Sequence, residues 1–255
     1  MPTSNPSELQ GAVVNEILDD TESGRTVSAK DVEKVTDQIC ASPDGARWRR
    51  DVELELGPKK WRPSAVSVDR ARLLYVYLQD ELPRFVADRL RLATSRQVAV
   101  TVALPITSLF KPDVIELLVD LEAEVLVVDD YIADRRLVPR PILLALADVE
   151  VPISPASRQK IYRSIWGRIG EGTAQQRGYR LEALLAFLFS QVQDLKVIER
   201  NYRTETEEID LVLQVDNLSP RVWQRPGVPF ILVEAKNRAD KASQQVMSSF
   251  ARGLH

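Results

Sequence analysis

A single cysteine, Cys40, stands among 255 residues, so no internal disulfide can form and the chain suits a reducing compartment. No apolar run approaches the roughly 18 residues needed to span a bilayer. The stretch MPTSNPSELQ at the start has neither the basic opening nor the apolar core of a signal peptide. These absences predict a soluble, cytoplasmic protein with no membrane partner. Ten glycines and fifteen prolines, beside 44% hydrophobic and 28% charged residues, exclude collagen, low-complexity disorder and a disulfide scaffold. Internal repeats and low-complexity tracts are also missing. The length exceeds one average domain and falls short of three, so two compact units are expected.

The net charge of −3 is unevenly spread. Residues 1–155 hold 19 basic and 26 acidic side chains, giving −7, and residues 156–255 hold 15 and 11, giving +4. A basic C-terminal part suits a polyanion, because phosphate attraction is the sequence-independent term in nucleic-acid binding. Ordinary variation also produces an excess of this size.

Residues 1–62 read as a helical and hairpin lead-in. Leu9, Val13 and Ile17, with Val14 and Leu18, form an apolar stripe at helical spacing. Ser28 and Asp31 have the spacing of a capping box, followed by Val32, Val35 and Ile39 on one face. Val52, Leu54 and Leu56 alternate with charged residues up to Gly57-Pro58, which predicts a short strand turning into a hairpin. Trp48 and Trp61 are interleaved with arginines and lysines there. That pattern can hold nucleic acid, but in an acidic region the tryptophans are expected to pack on the body instead.

Residues 63–153 read as a small parallel α/β (Rossmann-like) unit of unassigned role. The spacing predicts helix over 66–92, broken near Pro83. Val98, Val100, Val102 and Leu104 alternate as a strand, Pro112 and Asp113 open a helix, Val125–Val128 reads as a buried strand, and 141–147 as a helix. In such units ligands sit beyond the carboxyl ends of the strands, where Thr107, Ser108, Asp129 and Asp130 fall; as turn and cap residues they need no ligand. No Gly-rich phosphate loop is present, and a nucleotide-sensing regulator centred on 97–150 stays open as a reading. The segment Val151-Pro152-Ile153-Ser154-Pro155 marks a stiff boundary, with a helix at about 156–169 after it.

Chemistry concentrates in residues 174–255. Leu181, Leu184, Leu185, Leu188 and Val192 make an apolar helical face, and Glu182 stands at its edge. A carboxylate there needs a partner or a purpose. After a strand near 196–200, Ile209, Leu211, Leu213 and Val215 share one face of the next strand while Asp210 points to the other. Past a proline-containing loop, the apolar strand from Phe230 ends in Glu234-Ala235-Lys236, whose two charged residues share a face. Antiparallel pairing of these strands gathers two carboxylates and an ammonium. Such oxygen donors suit Mg²⁺ beside phosphate, and a structural ion pair is the alternative.

The segments RGYRLEALLAFLF (177–189), EEIDLVLQV (207–215) and FILVEAKNRA (230–239) resemble the restriction-endonuclease-like, or PD-(D/E)xK, nuclease superfamily, in its Mrr-type restriction-endonuclease branch. The resemblance covers residues 156–255 and implies a restriction-endonuclease-like α/β domain acting as an Mg²⁺- or Mn²⁺-dependent endonuclease, on DNA in preference to RNA, in antiviral defence. It implies metal ligands at Asp210 and Glu234, the motif lysine at Lys236, the helical acid at Glu182, and a glutamine at Gln244 or Gln245. Ile209 stands where the family name has proline. The family core ends in a strand after its second helix, and only Gly253-Leu254-His255 follow here. Three alternatives remain: a truncated chain, a short sheet, or a sheet completed by a homodimer mate or partner chain. A non-catalytic module of the same fold, used for binding or assembly, is the competing class.

Overall fold

The computed structural model describes residues 28–41, 48–56, 59–79, 82–128, 139–149, 153–203, 208–215 and 230–235. The first helix among the described residues, α1 (Ala29–Ala41), begins where Ser28 and Asp31 exchange hydrogen bonds. The Ser28 N–H donates to Asp31 Oδ2 at 2.8 Å and the Asp31 N–H to Ser28 Oγ at 3.3 Å. The capping box expected from the spacing is therefore formed, with Asp in place of the usual Glu.

The described residues up to Ala145, with Ile153–Ser157, form one unit, and those of 146–149 and from Arg158 onward form another. The first unit is built on a six-stranded mixed sheet. Its strands are β1 (Trp48–Arg49), β4 (Ala65–Ser67), β5 (Arg72–Val76), β6 (Ala99–Leu104), β7 (Glu124–Val127) and β8 (Arg140–Pro141), neighbours in that order. A separate hairpin joins β2 (Leu54–Leu56) to β3 (Lys59–Trp61), with Leu54 opposite Trp61.

The expected strand–helix–strand unit is present. β6 and β7 lie side by side and parallel, with Val102 opposite Val125. The helix between them is α3 (Pro112–Asp120), and α4 (Ile142–Asp148) follows β8. Three features depart from the sequence reading. The sheet is mixed, since only β5, β6 and β7 run parallel. The helix expected over 66–92 is replaced by β4, β5 and a helix, α2 (Arg84–Ser95), that starts only after Pro83. And the lead-in is not separate from the α/β unit: Val35 and Ile39 of α1 are buried in one cluster with Leu74, Ala103 and Leu126 of the sheet, and Trp48 packs against it.

By the two-residue period, Leu73, Val100, Val102 and Val125 are buried on the opposite face, and α2 packs against β6. Both helices that lead into parallel strands end without glycine. After α2, the Val98 N–H donates to the Ala93 carbonyl at 3.1 Å and the Gln97 N–H to that of Thr94 at 2.9 Å; after α3, Ala123 and Glu122 bond in the same way to Leu118 and Val119. These are Schellman motifs, with Gln97 (φ 62°) and Glu122 (φ 48°) in the left-handed position.

The second unit contains most of α5 (Pro155–Gly167), then α6 (Ala174–Ser190) and a three-stranded antiparallel sheet in the order β11 (Phe230–Val233), β10 (Glu208–Val215), β9 (Leu195–Arg203). A second capping box starts α6. The Gln176 N–H donates to Thr173 Oγ1 at 3.2 Å, and the Thr173 N–H to Gln176 Oε1 at 2.9 Å. Leu184 and Phe187 of α6, with Leu211 and Leu213 of β10, are the centre of this core. None of the described helices is long and apolar enough to cross a membrane.

Candidate functional site

The second unit's sheet positions the predicted acids through its register. β10 alternates as its sequence requires: Ile209, Leu211, Leu213 and Val215 are buried and Asp210 is half-buried. β11 runs antiparallel to it, with Leu211 opposite Val233 and Leu213 opposite Ile231. The ladder ends at the pair Leu211 and Val233, so Asp210 and Glu234 are the residues just past its last rung. The pairing is completed by a side chain, since Asp210 Oδ2 accepts the backbone N–H of Ala235 at 2.5 Å. This hydrogen bond has no signature in the sequence, because it depends on where the ladder stops.

Glu182 lies on α6, which packs against β9 and β10. Its neighbours Ala183 and Leu184 are buried and Glu182 itself is half-buried, at the rim of the packed face. Among the described residues no group of three or more Asp, Glu, His or Cys side chains is close enough to hold one ion. Glu182 therefore does not join Asp210 and Glu234 in a three-carboxylate cluster. Lys236, Gln244 and Gln245 lie outside the described residues, as do Asp129 and Asp130. Of the other candidate ligand residues, Thr107 is exposed and Ser108 buried, both in the 3₁₀ turn Ile106–Phe110 beyond β6.

The donor chemistry fits a hard divalent cation. Mg²⁺ is commonly held by one or two carboxylates, with water completing its octahedron; Asp210 and Glu234 supply two carboxylates at the end where β10 meets β11. The same sheet carries an open depression of about 590 Å³, lined by Ile198, Glu199, Tyr202, Val212, Phe230 and Leu232 among others. Tyr202 and Phe230 are exposed there, Phe230 to 47%.

No family model, no curated protein and no solved structure matches the chain.

Proposed function

We propose that the C-terminal unit is a metal-dependent endonuclease of the restriction-endonuclease-like superfamily, Mrr-type branch, hydrolysing phosphodiester bonds of DNA in defence against foreign DNA. The observation that carries this reading is the hydrogen bond that Asp210 of β10 accepts from the N–H of Ala235, the residue between Glu234 and Lys236. An acid on one strand facing Glu-x-Lys on the next is the arrangement the motif requires.

Asp210 and Glu234 would hold Mg²⁺ or Mn²⁺. When bound, the metal supplies charge stabilisation at the phosphodiester and a bound water of lowered pKa. Lys236 orients the attacking water and opposes the negative charge that grows on the phosphate. The reading needs only the two strand carboxylates, and substitution of Glu182 tests whether a third takes part. Exposed Tyr202 and Phe230 offer flat surfaces on which bases can stack.

The test is a titration of the full chain with Mg²⁺ and Mn²⁺, scoring nicking and cutting of supercoiled plasmid, single-stranded DNA and RNA. Metal-dependent cleavage of DNA, lost on Lys236→Ala, supports the proposal. Nucleic-acid binding without cleavage at any metal concentration would instead favour a non-catalytic binding module.

A further inference from the structure

We infer that the N-terminal unit carries a binding site of its own, a cleft at the carboxyl end of β5 that takes a nucleoside monophosphate. The cleft encloses about 360 Å³, and its lining includes Arg62, Ser64, Tyr75, Tyr77, Pro83 and Phe85. That volume falls within the range of small-molecule sites, about 300–1,000 Å³. Its place is where α/β sheets put their ligands, beyond the carboxyl end of a parallel strand. The inference does not rest on the nuclease reading.

The walls suit a flat ring. Phe85 is 60% exposed, although it belongs to a helix whose Val86 and Leu90 are buried. Its ring is held beside the Arg89 guanidinium, 5.5 Å from the centroid. The same guanidinium lies 5.9 Å from the centroid of Trp61, itself 6.0 Å from Tyr75. Buried Trp61 and the Arg89 guanidinium thus brace Tyr75 and Phe85 from behind, and these two lining rings are the ones on which a nucleobase can stack.

The charge suits a phosphate. Among the described lining residues the one charged side chain is Arg62. Its Nε and Nη2 donate to one oxygen of Glu53 at 3.0 and 2.7 Å, which uses two of the guanidinium's five N–H groups. Lys60 also reaches Glu53, at 3.3 Å, so Glu53 keeps a cation if Arg62 turns toward a ligand. At the same rim α2 begins at Arg84, and Pro83 before it caps the helix with no side chain.

The experiment is calorimetric titration of the full chain with AMP, adenosine and ribose 5-phosphate. EDTA is present throughout, so that binding through a metal at Asp210 and Glu234 does not contribute. AMP is expected to saturate below about 1 mM, with adenosine and ribose 5-phosphate each at least about tenfold weaker. Phe85→Ala, checked by circular dichroism, is expected to weaken AMP by about tenfold or more. Arg62→Ala weakens AMP and leaves adenosine unchanged. Absence of saturable AMP binding, equal affinity for AMP and adenosine, or undiminished AMP binding by folded Phe85→Ala each overturns the inference.

Discussion

Asp210 closes the end of the β10–β11 ladder, accepting the N–H of Ala235 between Glu234 and Lys236. One carboxylate thus has two duties: it holds the last turn of β11 in place, and in the proposed mechanism it holds the metal. The two can be separated by substitution. Asp210→Asn keeps a side-chain oxygen to accept the amide but loses the charge. Asp210→Ala leaves that amide without its acceptor, at a cost of about 1–3 kcal/mol if it stays dry. We predict that both variants lose cleavage while only Asp210→Ala unfolds at clearly lower denaturant. Excess Mg²⁺ is expected to rescue Asp210→Asn in part. Equal stability of the two variants would show that the Ala235 bond contributes nothing.

Lys236→Ala is predicted to lower metal-dependent cleavage by about 100-fold or more, with metal affinity and the denaturation midpoint little changed. If Lys236 only pairs with a neighbouring acid, stability falls and any cleavage persists. Single-turnover rates beside a denaturant curve separate the two outcomes.

The core of the C-terminal unit is predicted to depend on Phe187. It is fully buried, and its truncation to alanine removes a large apolar contact and leaves a cavity. The expected loss is about 3–5 kcal/mol, read from urea denaturation. A loss below about 1 kcal/mol, ordinary for surface positions, would mean that α6 is not seated on this sheet.

Glycine should be welcome at two positions. Gln97 and Glu122 occupy left-handed caps, where a side chain costs roughly 1–2 kcal/mol that glycine does not incur. Part of that gain is offset by the backbone freedom glycine has when unfolded. Gln97→Gly and Glu122→Gly are each predicted to stabilise the chain by up to about 1 kcal/mol, seen as a higher melting temperature. Destabilisation by both would contradict the cap geometry.

The β2–β3 hairpin is predicted to respond to acid. The Arg62 guanidinium first, and the Lys60 ammonium after it, hold the Glu53 carboxyl below the usual carboxylate range. A folded-state value below the unfolded one contributes stability above the unfolded value, and that contribution is lost as pH falls through the folded one. Glu53 is solvent-facing, so salt should weaken the effect. NMR titration of the Glu53 carboxyl should give a low midpoint that rises in Arg62→Ala; an unchanged midpoint would sink the assignment.

Much of this architecture was legible because periodicity and local chemistry agreed. Val98 to Leu104 alternates and forms β6, Pro112 opens α3, and the spacing of Ser28 and Asp31 gives the box that starts α1. The buried face of Ile209, Leu211, Leu213 and Val215, with Asp210 off it, follows from the same two-residue period. The stretch 66–92 misled because its turn carries no glycine or proline. Asp69 makes that turn instead: its Oδ1 accepts from Ser67 Oγ at 2.5 Å and from the Ala71 N–H at 3.1 Å, with Arg70 at φ 57°. Leu73, Leu74, Val76 and Leu78 then form a dense apolar run, which spacing alone cannot divide between strand and helix. The same ambiguity between strand and helix conceals the cleft beside Tyr75 and Phe85 from the sequence. The packing of α1 on the sheet is a long-range fact, absent from any local pattern.

The pairing of β10 with β11 also acts as a ruler. Side chains alternate at every residue, so a one-residue slip carries an entire strand face to the other side. Between Phe230, opposite Gln214, and Glu234 lie only three residues, Ile231, Leu232 and Val233. Deleting any one of them while Phe230 keeps its partner would turn Glu234 away from Asp210. Changing their identity among similar apolar residues would leave the register as it is. At this strand, length is held more tightly than composition, and a single-codon deletion should be far more damaging than a conservative substitution.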